Sequence, residues 1–413
     1  MEQLQAIRGM KDLLGDEAKK FSYIIDIARE IAKNYCFAEN FFPLLEEVEV
    51  FKRSLGDSSD VVTKEMYDFE DKSGKQITLR PEFTAQIMRS VISNSMYQEL
   101  PKKIFTYGPL FRYERPQKAR QRQFHQLNYE FIGNDSYLAD FELIMMAVSL
   151  FEKLGIKDKL KLEINSLGCG ESRNAYRNKL VEYFSKHKAS LSSDSQKRLD
   201  TNPLRILDSK DEADKKIIKD APEFSESYTE SAKKYFKQLL EMLDKNNVEY
   251  FVNKKLVRGL DYYSHTVFEF TTDLLGSQNA VAAGGRYDDL ILQLGGKKTA
   301  SIGFAAGVER IMCLLDDEIE DEIKYAVVPV SDAQINDCYS LLQEIRSNKV
   351  KAEIVLGKSN FSKRMQKAQK LNPQYVVIYG ADELLNNEVR HKNLATSVEV
   401  SESKDNFIAS LRE

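Results

Sequence analysis

The segment that decides the fold is Arg112-Tyr-Glu-Arg-Pro-Gln-Lys-Ala-Arg-Gln-Arg-Gln-Phe-His125, which lies between two strand-like stretches, 104–112 and 124–132. Side chains in the second stretch alternate between two faces, because successive residues of a β-strand point to opposite sides of the sheet. The apolar face carries Leu127, Tyr129 and Phe131, and the other carries Phe124, Gln126, Asn128 and Glu130. A polar face meets either a polar ligand or water, and a strand with one wet face is the commoner case. The pattern therefore predicts two strands joined by a basic loop, with either role open for the polar face.

The loop between these strands is strongly basic. Its five cations face a single acid, Glu114, and they are Arg112, Arg115, Lys118, Arg120 and Arg122. Arginine makes forked hydrogen bonds to phosphate oxygens, and Phe124 offers an aromatic face on which a base can stack. A solvated charged loop explains the composition equally well. Phosphate or RNA binding is therefore one of two readings that the loop by itself allows.

The chain on the N-terminal side alternates helices and short strands. Apolar residues recur at three- and four-residue spacing over 21–35, which predicts a helix with one buried face. The extended run around Pro43 belongs at a strand start or edge. Residues 66–70 and 76–80 have the pattern of a hairpin. Helical periodicity also predicts helices at 83–96 and 140–154.

The texture of the chain changes after about residue 169. Up to about residue 247 it is rich in helix formers and charge, and strands resume at 250–252 and 267–271. The helical stretch is therefore interpreted as an insertion into a β-rich domain. An acidic run at 316–324 marks the next boundary. Beyond it, a strand, helix, strand, helix, strand order predicts a small α/β domain with a partly parallel sheet; these elements are 325–330, 338–345, 352–356, 361–371 and 375–379.

Composition limits the class of protein. The 413 residues exceed what one hydrophobic core usually serves, so two or more domains are expected. The net charge of −4 excludes a global basic field, so any contact with a polyanion depends on local clusters. We find no apolar stretch of the about 18 residues that a membrane helix needs, and no secretory apolar segment at the start. Four scattered cysteines, Cys36, Cys169, Cys313 and Cys338, favour a reduced, cytoplasmic protein without structural zinc or disulfides.

Four further peptides are weak signals when each is taken alone. In Thr78-Leu-Arg-Pro-Glu-Phe-Thr84, Glu82 opens a helix, either as a ligand-binding carboxylate or as a plain cap. Leu256-Val-Arg-Gly-Leu-Asp-Tyr-Tyr263 is a turn that enters a strand. The glycine pair of Ala282-Ala-Gly-Gly-Arg-Tyr287 permits close backbone approach but lacks the spacing of a dinucleotide fingerprint. Gly303-Phe-Ala-Ala-Gly-Val-Glu-Arg310 is interpreted as the start of a helix, with Arg310 about two turns in.

Taken together, these peptides resemble the class II aminoacyl-tRNA synthetases and, within them, the histidyl-tRNA synthetase family. The helix 21–35 with the strand at Pro43 resembles the first class II motif, 111–130 the second and 303–310 the third. The peptides 256–263 and 283–287 are similar to stretches specific to the histidine enzymes. The resemblance implies an α+β fold in which helices flank an antiparallel, six-stranded catalytic sheet with motifs two and three on adjacent strands. It also implies a catalytic domain at 1–324 with a helical insertion at about 170–248, and an α/β anticodon-binding domain at 325–413.

The family resemblance implies a reaction and its residues. Histidine and ATP would form histidyl-adenylate and pyrophosphate, with Mg²⁺ at the phosphates, and histidine would then pass to the terminal ribose of histidine tRNA. Arg112, Arg258 and Arg310 would be catalytic. Arg112, Glu114, Arg120, Phe124 and Arg310 would bind ATP. Glu82, Thr84, Gln126, Glu130, Arg258, Tyr262 and Tyr263 would bind histidine. Arg115, Lys118 and Arg122 would position the acceptor end of the tRNA, and a homodimer is the implied assembly.

The chain departs from the family pattern in places, and other functions explain parts of the sequence. The family usually has glycine where this chain has Phe83, and also where it has Ala119. One alternative is a non-catalytic relative, similar to the histidine-binding regulatory subunit of ATP phosphoribosyltransferase; that relative typically lacks the C-terminal domain and has degraded motifs. A second is an RNA-binding module, which leaves the 256–263 peptide unused. A third, another class II specificity, is disfavoured by the same peptide.

Overall fold

The protein divides into two compact units, Met1–Glu318 and Ile319–Glu413. A computed structural model describes residues 4–56, 59–117, 119–207, 209, 211–257, 262–276, 279–315, 323–357 and 360–412. Within those residues the α-helices are α1 (Asp16–Asn34), α2 (Val48–Leu55), α3 (Thr84–Ser93), α4 (Tyr137–Lys153), α5 (Gly170–Lys186), α6 (Ser193–Thr201), α7 (Glu212–Ile218), α8 (Glu230–Lys245), α9 (Leu290–Gln293), α10 (Val308–Met312), α11 (Ile335–Ser347), α12 (Phe361–Lys370), α13 (Ala381–Asn386) and α14 (Lys404–Ser410).

The strands of the same residues form three sheets. They are β1 (Ala38–Glu39), β2 (Leu45–Glu47), β3 (Tyr67–Glu70), β4 (Gln76–Leu79), β5 (Lys102–Phe111), β6 (Gln123–Ile132), β7 (Lys161–Ser166), β8 (Phe251–Val252), β9 (Ser264–Thr271), β10 (Ala280–Arg286), β11 (Ser301–Gly307), β12 (Tyr325–Pro329), β13 (Ala352–Ile354), β14 (Tyr375–Tyr379), β15 (Glu388–Asn393) and β16 (Glu399–Ser403).

The large sheet confirms the predicted α+β class. Its order is β1-β5-β6-β11-β10-β9-β7-β8. The six central strands of this order, β5, β6, β11, β10, β9 and β7, pair antiparallel with their neighbours. The two-residue strands β1 and β8 pair parallel at the edges. The two strands predicted around the basic loop are β5 and β6, which pair from Lys102 opposite Ile132 to Phe111 opposite Gln123. The second and third motifs lie on adjacent strands as expected, with Glu130 opposite Gly303.

The prediction for the third motif was wrong in one respect. Residues 303–307 belong to β11, not to a helix start, and Arg310 is the third residue of the short helix α10. The small residues Ala305 and Ala306 favour helix by intrinsic propensity. Here β11 is a central strand, paired with β6 on one side and β10 on the other. Those two ladders of backbone hydrogen bonds outweigh the local preference.

The two faces of β6 meet different surroundings, as the alternation predicts. Leu127, Tyr129 and Phe131 are buried in the main apolar core together with the inner faces of α1 and α4. The Tyr129 ring stacks between Phe105 of β5 and Phe304 of β11, with centroids 4.8 Å away on each side. Aromatic stacking adds to the free energy gained from apolar burial. This core holds the opposite, polar face of β6 in a defined position.

A second, small sheet has the order β2-β4-β3. The hairpin predicted from the sequence is β3 and β4, which pair from Tyr67 opposite Leu79 to Glu70 opposite Gln76. Pro43 lies just before β2, an edge strand that pairs only with β4 among the described residues. A proline is tolerated there because no partner strand needs its missing N–H. The chain then leaves β4 and passes Glu82 before it enters α3, whose first residue is Thr84.

The helical stretch predicted between two strand regions is present as α5 to α8, between β7 and β8. Helix α8 packs against helix α4, and the Tyr235 hydroxyl donates to the buried Asp140 carboxylate at 3.1 Å. Asp140 also pairs with Arg286 of β10, and both side chains are almost completely buried. Because a buried charge needs a partner, this ion pair connects α4, α8 and β10.

The C-terminal unit has the predicted alternation. Strand β12 pairs parallel with β13 and with β14, and α11 and α12 supply apolar residues to its two core clusters. The antiparallel strands β15 and β16 extend the sheet and were not predicted. All four cysteines of the chain are free. Among the helices of the described residues, none is both long enough and apolar enough to span a bilayer.

Candidate active site

A cleft of about 390 Å³ opens on the polar face of β6, bounded by β10, β11, the start of α3 and the basic loop. The predicted residues that line it are Glu82, Thr84, Arg112, Glu114, Arg120, Phe124, Gln126, Tyr262, Tyr263 and Arg310. They come from stretches of chain nearly 230 residues apart in the sequence, and the sheet register brings them to one face. The face is therefore not a wet strand surface, since Asn128 and Glu130 at its inner end are 2% and 0% exposed.

One end of the cleft gathers arginines around an aromatic ring. The Arg112 guanidinium lies over the Phe124 ring, 5.4 Å from its centroid, and Arg112 Nε donates to the Pro81 carbonyl at 3.0 Å. Arg120 forms an ion pair with Glu114. Two of the five residues predicted to contact ATP are thus paired with each other in this structure. A flat ring with a fixed cation above it suits a planar base that carries phosphates.

Arg310 joins the same end of the cleft from α10. Its guanidinium donates to the carbonyl of Ala280 on β10. Burial lowers the pKa of Arg310, and the positive charges of Arg120 and Arg112 lower it further. That mutual repulsion means that three cations converge on one small volume. Such a concentration is favourable for a ligand that brings several negative charges.

Glu82 serves as the helix cap that its position allows. Its carboxylate accepts hydrogen bonds from the backbone N–H groups of Thr84 and Ala85, both at 2.7 Å. Burial raises the pKa of Glu82 in spite of these bonds and of the nearby Arg112 charge, which act in the opposite direction. The capping reading is therefore confirmed, and the same carboxylate also lines the cleft. Its position is set by the first turn of α3.

Glu130 lies beneath the inner end of the cleft and is completely buried. Its Oε1 accepts a hydrogen bond from the Thr84 hydroxyl at 2.7 Å, whereas Oε2 has no hydrogen-bond partner among the described residues. Burial raises the pKa of Glu130 well above its ordinary value, and the nearby Glu82 charge raises it further. A buried acceptor without a donor costs free energy. A polar ligand that reaches Oε2 would recover that cost.

Gly303 explains how Glu130 fits against the neighbouring strand. A Cβ atom at position 303 would lie 2.5 Å from Glu130 Cδ and 2.7 Å from the Tyr129 carbonyl oxygen. No side chain is compatible with such a close approach. The glycine of the third motif is thus required by the carboxylate of the second.

Tyr262 and Tyr263 complete the inner end of the cleft. They are 3% and 6% exposed, and their rings pack at a tilt with centroids 4.7 Å apart. Burial raises the pKa of the Tyr262 hydroxyl well above its ordinary value, and Tyr263, Glu82 and Glu130 contribute in the same direction. The electrostatic influence of both carboxylates shows that they lie close to this hydroxyl. The inner end therefore combines two acids, two phenols and the Thr84 hydroxyl.

Other predicted residues lie elsewhere or outside the description. Arg258 and Lys118 are outside the described residues. Arg115 is exposed on the loop. Arg122 covers the Tyr113 ring at 3.8 Å from its centroid and donates to the Glu114 carbonyl, so its side chain packs within the loop. Neither Arg115 nor Arg122 lines the cleft.

Asn128 and Glu309 are two of the cleft residues that were missed from the sequence. Asn128 lines the cleft between Gln126 and Glu130, and its position on the polar face of β6 was a sufficient signal. Glu309 also lines it, and its carboxylate accepts from the His125 N–H at 2.9 Å and contacts His125 Nδ1 at 2.8 Å. No local pattern indicates that pair, since 184 residues separate its members. Glu309 and His125 join α10 to the start of β6.

Comparison with known proteins supports one family across both units. The family model described as histidyl-tRNA synthetase matches residues 9–311, and the one described as anticodon binding domain matches residues 324–413. A histidine–tRNA ligase of Wolbachia pipientis wMel is 48% identical over 407 residues, covering 98% of this chain and 99% of that protein. A histidine–tRNA ligase of Rickettsia bellii is 47% identical over 395 residues, covering 95% of each.

A solved structure gives the same result at the level of the fold. The crystal structure of apo histidyl-tRNA synthetase from S. aureus has a TM-score of 0.83 and 31% sequence identity to this chain, and the match covers 100% of both chains. The likeness therefore includes the helical insertion and the C-terminal unit as well as the catalytic sheet.

Proposed function

This chain belongs to the histidyl-tRNA synthetase family, and we propose that it activates L-histidine with ATP and transfers the histidine to the 3′-terminal ribose of histidine tRNA. The match extends through the anticodon-binding domain at 324–413, so the alternatives of a regulatory relative and of a plain RNA-binding module are not favoured. The single observation that carries the proposal is the cleft itself. It joins an arginine-rich end to an inner end with buried acids and phenols.

The arginine-rich end is proposed as the ATP site. Phe124 would stack on adenine, Glu114 would read its amino group, and Arg112 would hold the α-phosphate. Binding of ATP then requires Glu114 to leave its ion pair with Arg120, which frees Arg120 to help bend the triphosphate. Arg310, from the other side of the cleft, would contact the base or the γ-phosphate. These roles are supported by the convergence of the Arg112, Arg120 and Arg310 side chains on one volume.

The first half-reaction needs positioning and charge neutralisation more than covalent help. An oxygen of the histidine carboxylate attacks the α-phosphorus, a new P–O bond forms, and the bond to the pyrophosphate leaving group breaks. Arg112 and Arg258 would neutralise the negative charge that grows on the α-phosphate oxygens, in a site where fixed cations need no reorganisation. In the second half-reaction the ribose hydroxyl attacks the adenylate carbonyl and AMP leaves.

The inner end is proposed as the histidine site. Glu82, Thr84 and Gln126 would bind the ammonium group, with Arg258 beside the carboxylate, and Glu130 with Tyr262 and Tyr263 would bind the imidazole. The unpartnered Oε2 of Glu130 is a suitable acceptor for a ring N–H. An apolar isostere would leave these buried groups unsatisfied, which costs on the order of 10⁴-fold in discrimination.

The tRNA, the metal and the assembly belong to the same proposal. Arg115, which is exposed, would position the acceptor end of the tRNA together with Lys118 and Arg122 of the same basic loop. Among the described residues no cluster of three acidic, histidine or cysteine side chains could hold a metal ion, and Glu309 is engaged by His125. The residues therefore do not form a metal cage, and Mg²⁺ would enter bound mainly to the phosphates of ATP, as it commonly does.

Homodimerisation is supported by an exposed apolar surface around the first motif. Phe41 is 72% exposed, and Leu44, Leu45 and Phe69 are each about 45% exposed. Leu45 lies on the edge strand β2, Leu44 directly before it and Phe69 on β3 of the same small sheet, and exposed apolar side chains that cluster in this way typically mark a protein–protein interface. A second copy of the chain, in the cytoplasm, is the proposed partner.

ATP–pyrophosphate exchange, run with each amino acid in turn, tests the proposed activity. Exchange with histidine alone is the expected result, and folded protein that exchanges with no amino acid would refute the proposal. Arg258→Ala should abolish exchange while histidine binding, measured by calorimetry, stays largely intact. Exchange by that variant at the parent rate would exclude the phosphate role of Arg258.

A further inference from the structure

Phe83 stands between two residues of the proposed histidine site and lines the same cleft. It precedes Thr84, whose hydroxyl donates to Glu130, and follows Glu82, which caps α3. The Phe83 side chain is 1% exposed, and it packs in the apolar cluster that also contains Tyr262 and Tyr263. The ring therefore forms part of the wall at the inner end of the cleft, next to the groups proposed to bind imidazole.

The ring is held from behind by a buried cation. The Arg80 guanidinium lies 4.4 Å from the centroid of the Phe83 ring, and Arg80 is itself 3% exposed. It donates to the carbonyls of Pro109 at 3.0 Å and of Phe42 at 2.8 Å. Burial lowers the pKa of Arg80 to about 10, so the group remains charged at neutral pH. A cation over an aromatic face, tied to backbone carbonyls, is a rigid support.

The opposite strand is shaped to admit this pair. Gly108 of β5 has a φ of 149°, and a Cβ atom there would lie 2.8 Å from Arg80 Nη2 and 3.7 Å from Phe83 Cζ. A side chain at 108 would therefore collide with the Arg80 guanidinium and would touch the Phe83 ring at an ordinary contact distance. Arg80, Phe83 and Gly108 thus form one fitted unit, in which the ring has little freedom to withdraw from a ligand.

We propose that Phe83 sets the size limit of the amino-acid pocket and is a specificity-determining residue of this chain. The inference rests on the proposed function, because it takes the inner end of the cleft as the histidine site. A ring that is supported on its far side by an immobile cation cannot move aside for a larger substrate. Histidine methylated on either ring nitrogen is the class of molecule that this wall excludes, since it keeps the amino acid and one ring nitrogen and adds one methyl group.

Phe83→Leu, with Phe51→Leu as its matched control, tests the size limit. Phe51 of α2 is completely buried in the same apolar cluster but does not line the cleft. We would measure kcat/KM in pyrophosphate exchange for histidine and for its two ring-methylated forms. Phe83→Leu should narrow the preference for histidine by about 10-fold or more, the range that one methyl group commands in a closed pocket. Phe51→Leu should lower the midpoint of thermal unfolding and leave that preference unchanged.

Folded Phe83→Leu protein that keeps the parent preference would overturn the inference, as would an equal loss of preference in Phe51→Leu. Phe83→Met, which conserves volume better, serves if the leucine variant does not fold. Calorimetric binding of histidine and of the methylated forms gives the same preference without catalysis. Failure of the parent to exchange with histidine would count against the proposed function, whereas an unchanged ratio of binding constants would count against the role of Phe83.

Discussion

Gly303→Ala is predicted to impair histidine activation through a side chain on the neighbouring strand. The new Cβ atom would lie 2.5 Å from Glu130 Cδ and 2.7 Å from the Tyr129 carbonyl oxygen. The carbonyl belongs to the β6–β11 ladder and moves little, so the carboxyl group must retreat. Glu130 Oε2 would lie closest of all to the new atom. The Cδ atom alone must move by about 1 Å to reach an ordinary contact, and a misplacement of about that size costs about 100-fold in rate.

The assay separates this effect from simple loss of stability. We expect kcat/KM for histidine in pyrophosphate exchange to fall by about 100-fold and the free energy of unfolding to fall by about 1–3 kcal/mol, as for other overpacked sites. The control is Gly170→Ala, since a Cβ at the first residue of α5 would meet nothing within 4 Å. The Gly170→Ala substitution should leave the activity unchanged. Folded Gly303→Ala protein with kcat/KM near the parent value would refute the proposed role of the Glu130 carboxyl.

The remaining predictions concern three acidic side chains, two of them buried and one exposed. Burial raises the pKa of Glu130, so its contribution to stability is complete below the unfolded pKa of about 4.3 and is lost as pH rises toward the folded pKa. The midpoint of thermal unfolding of ligand-free Glu130→Gln should therefore rise relative to the parent as the pH increases above the unfolded pKa; a difference that does not vary with pH would contradict this. Asp140→Ala leaves Arg286 buried without its main partner and should cost about 3–5 kcal/mol in chemical denaturation. Glu49→Ala breaks the exposed pair with Arg53 and should cost about 1 kcal/mol or less. Equal losses of unfolding free energy in Asp140→Ala and Glu49→Ala would refute the expected difference between a buried and an exposed ion pair.

Local patterns predicted much of the catalytic framework. Two-residue alternation separated the core face of β6 from its ligand face, because that period is a property of any strand. Apolar residues at three- and four-residue spacing predicted α1, α3 and α4, because that period is a property of any helix with one buried face. Pro43 was placed at an edge because its ring removes a donor. Family resemblance, carried by peptides spread along the chain, then indicated which polar residues share one site.

Pairings between distant segments could not be predicted in this way. The ion pair of Glu114 with Arg120 and the contact of His125 with Glu309 depend on how loops and helices meet. The strand at 303–307 was missed because its small residues, Ala305 and Ala306 among them, favour a helix locally. Its conformation is set by pairing with the two neighbouring strands, β6 and β10. A residue's intrinsic propensity is a fraction of a kilocalorie, which two ladders of hydrogen bonds exceed.

The amino-acid pattern of 112–130 was enough to predict a basic loop followed by a half-polar strand. What that strand faces depends on how distant segments pack together. Glu130 can be completely buried because Gly303 on β11 leaves room for its carboxyl group, and because Thr84, at the start of helix α3, donates to it. Shape and hydrogen bonding between three separated segments are properties of the packed chain, and no period within one segment encodes them.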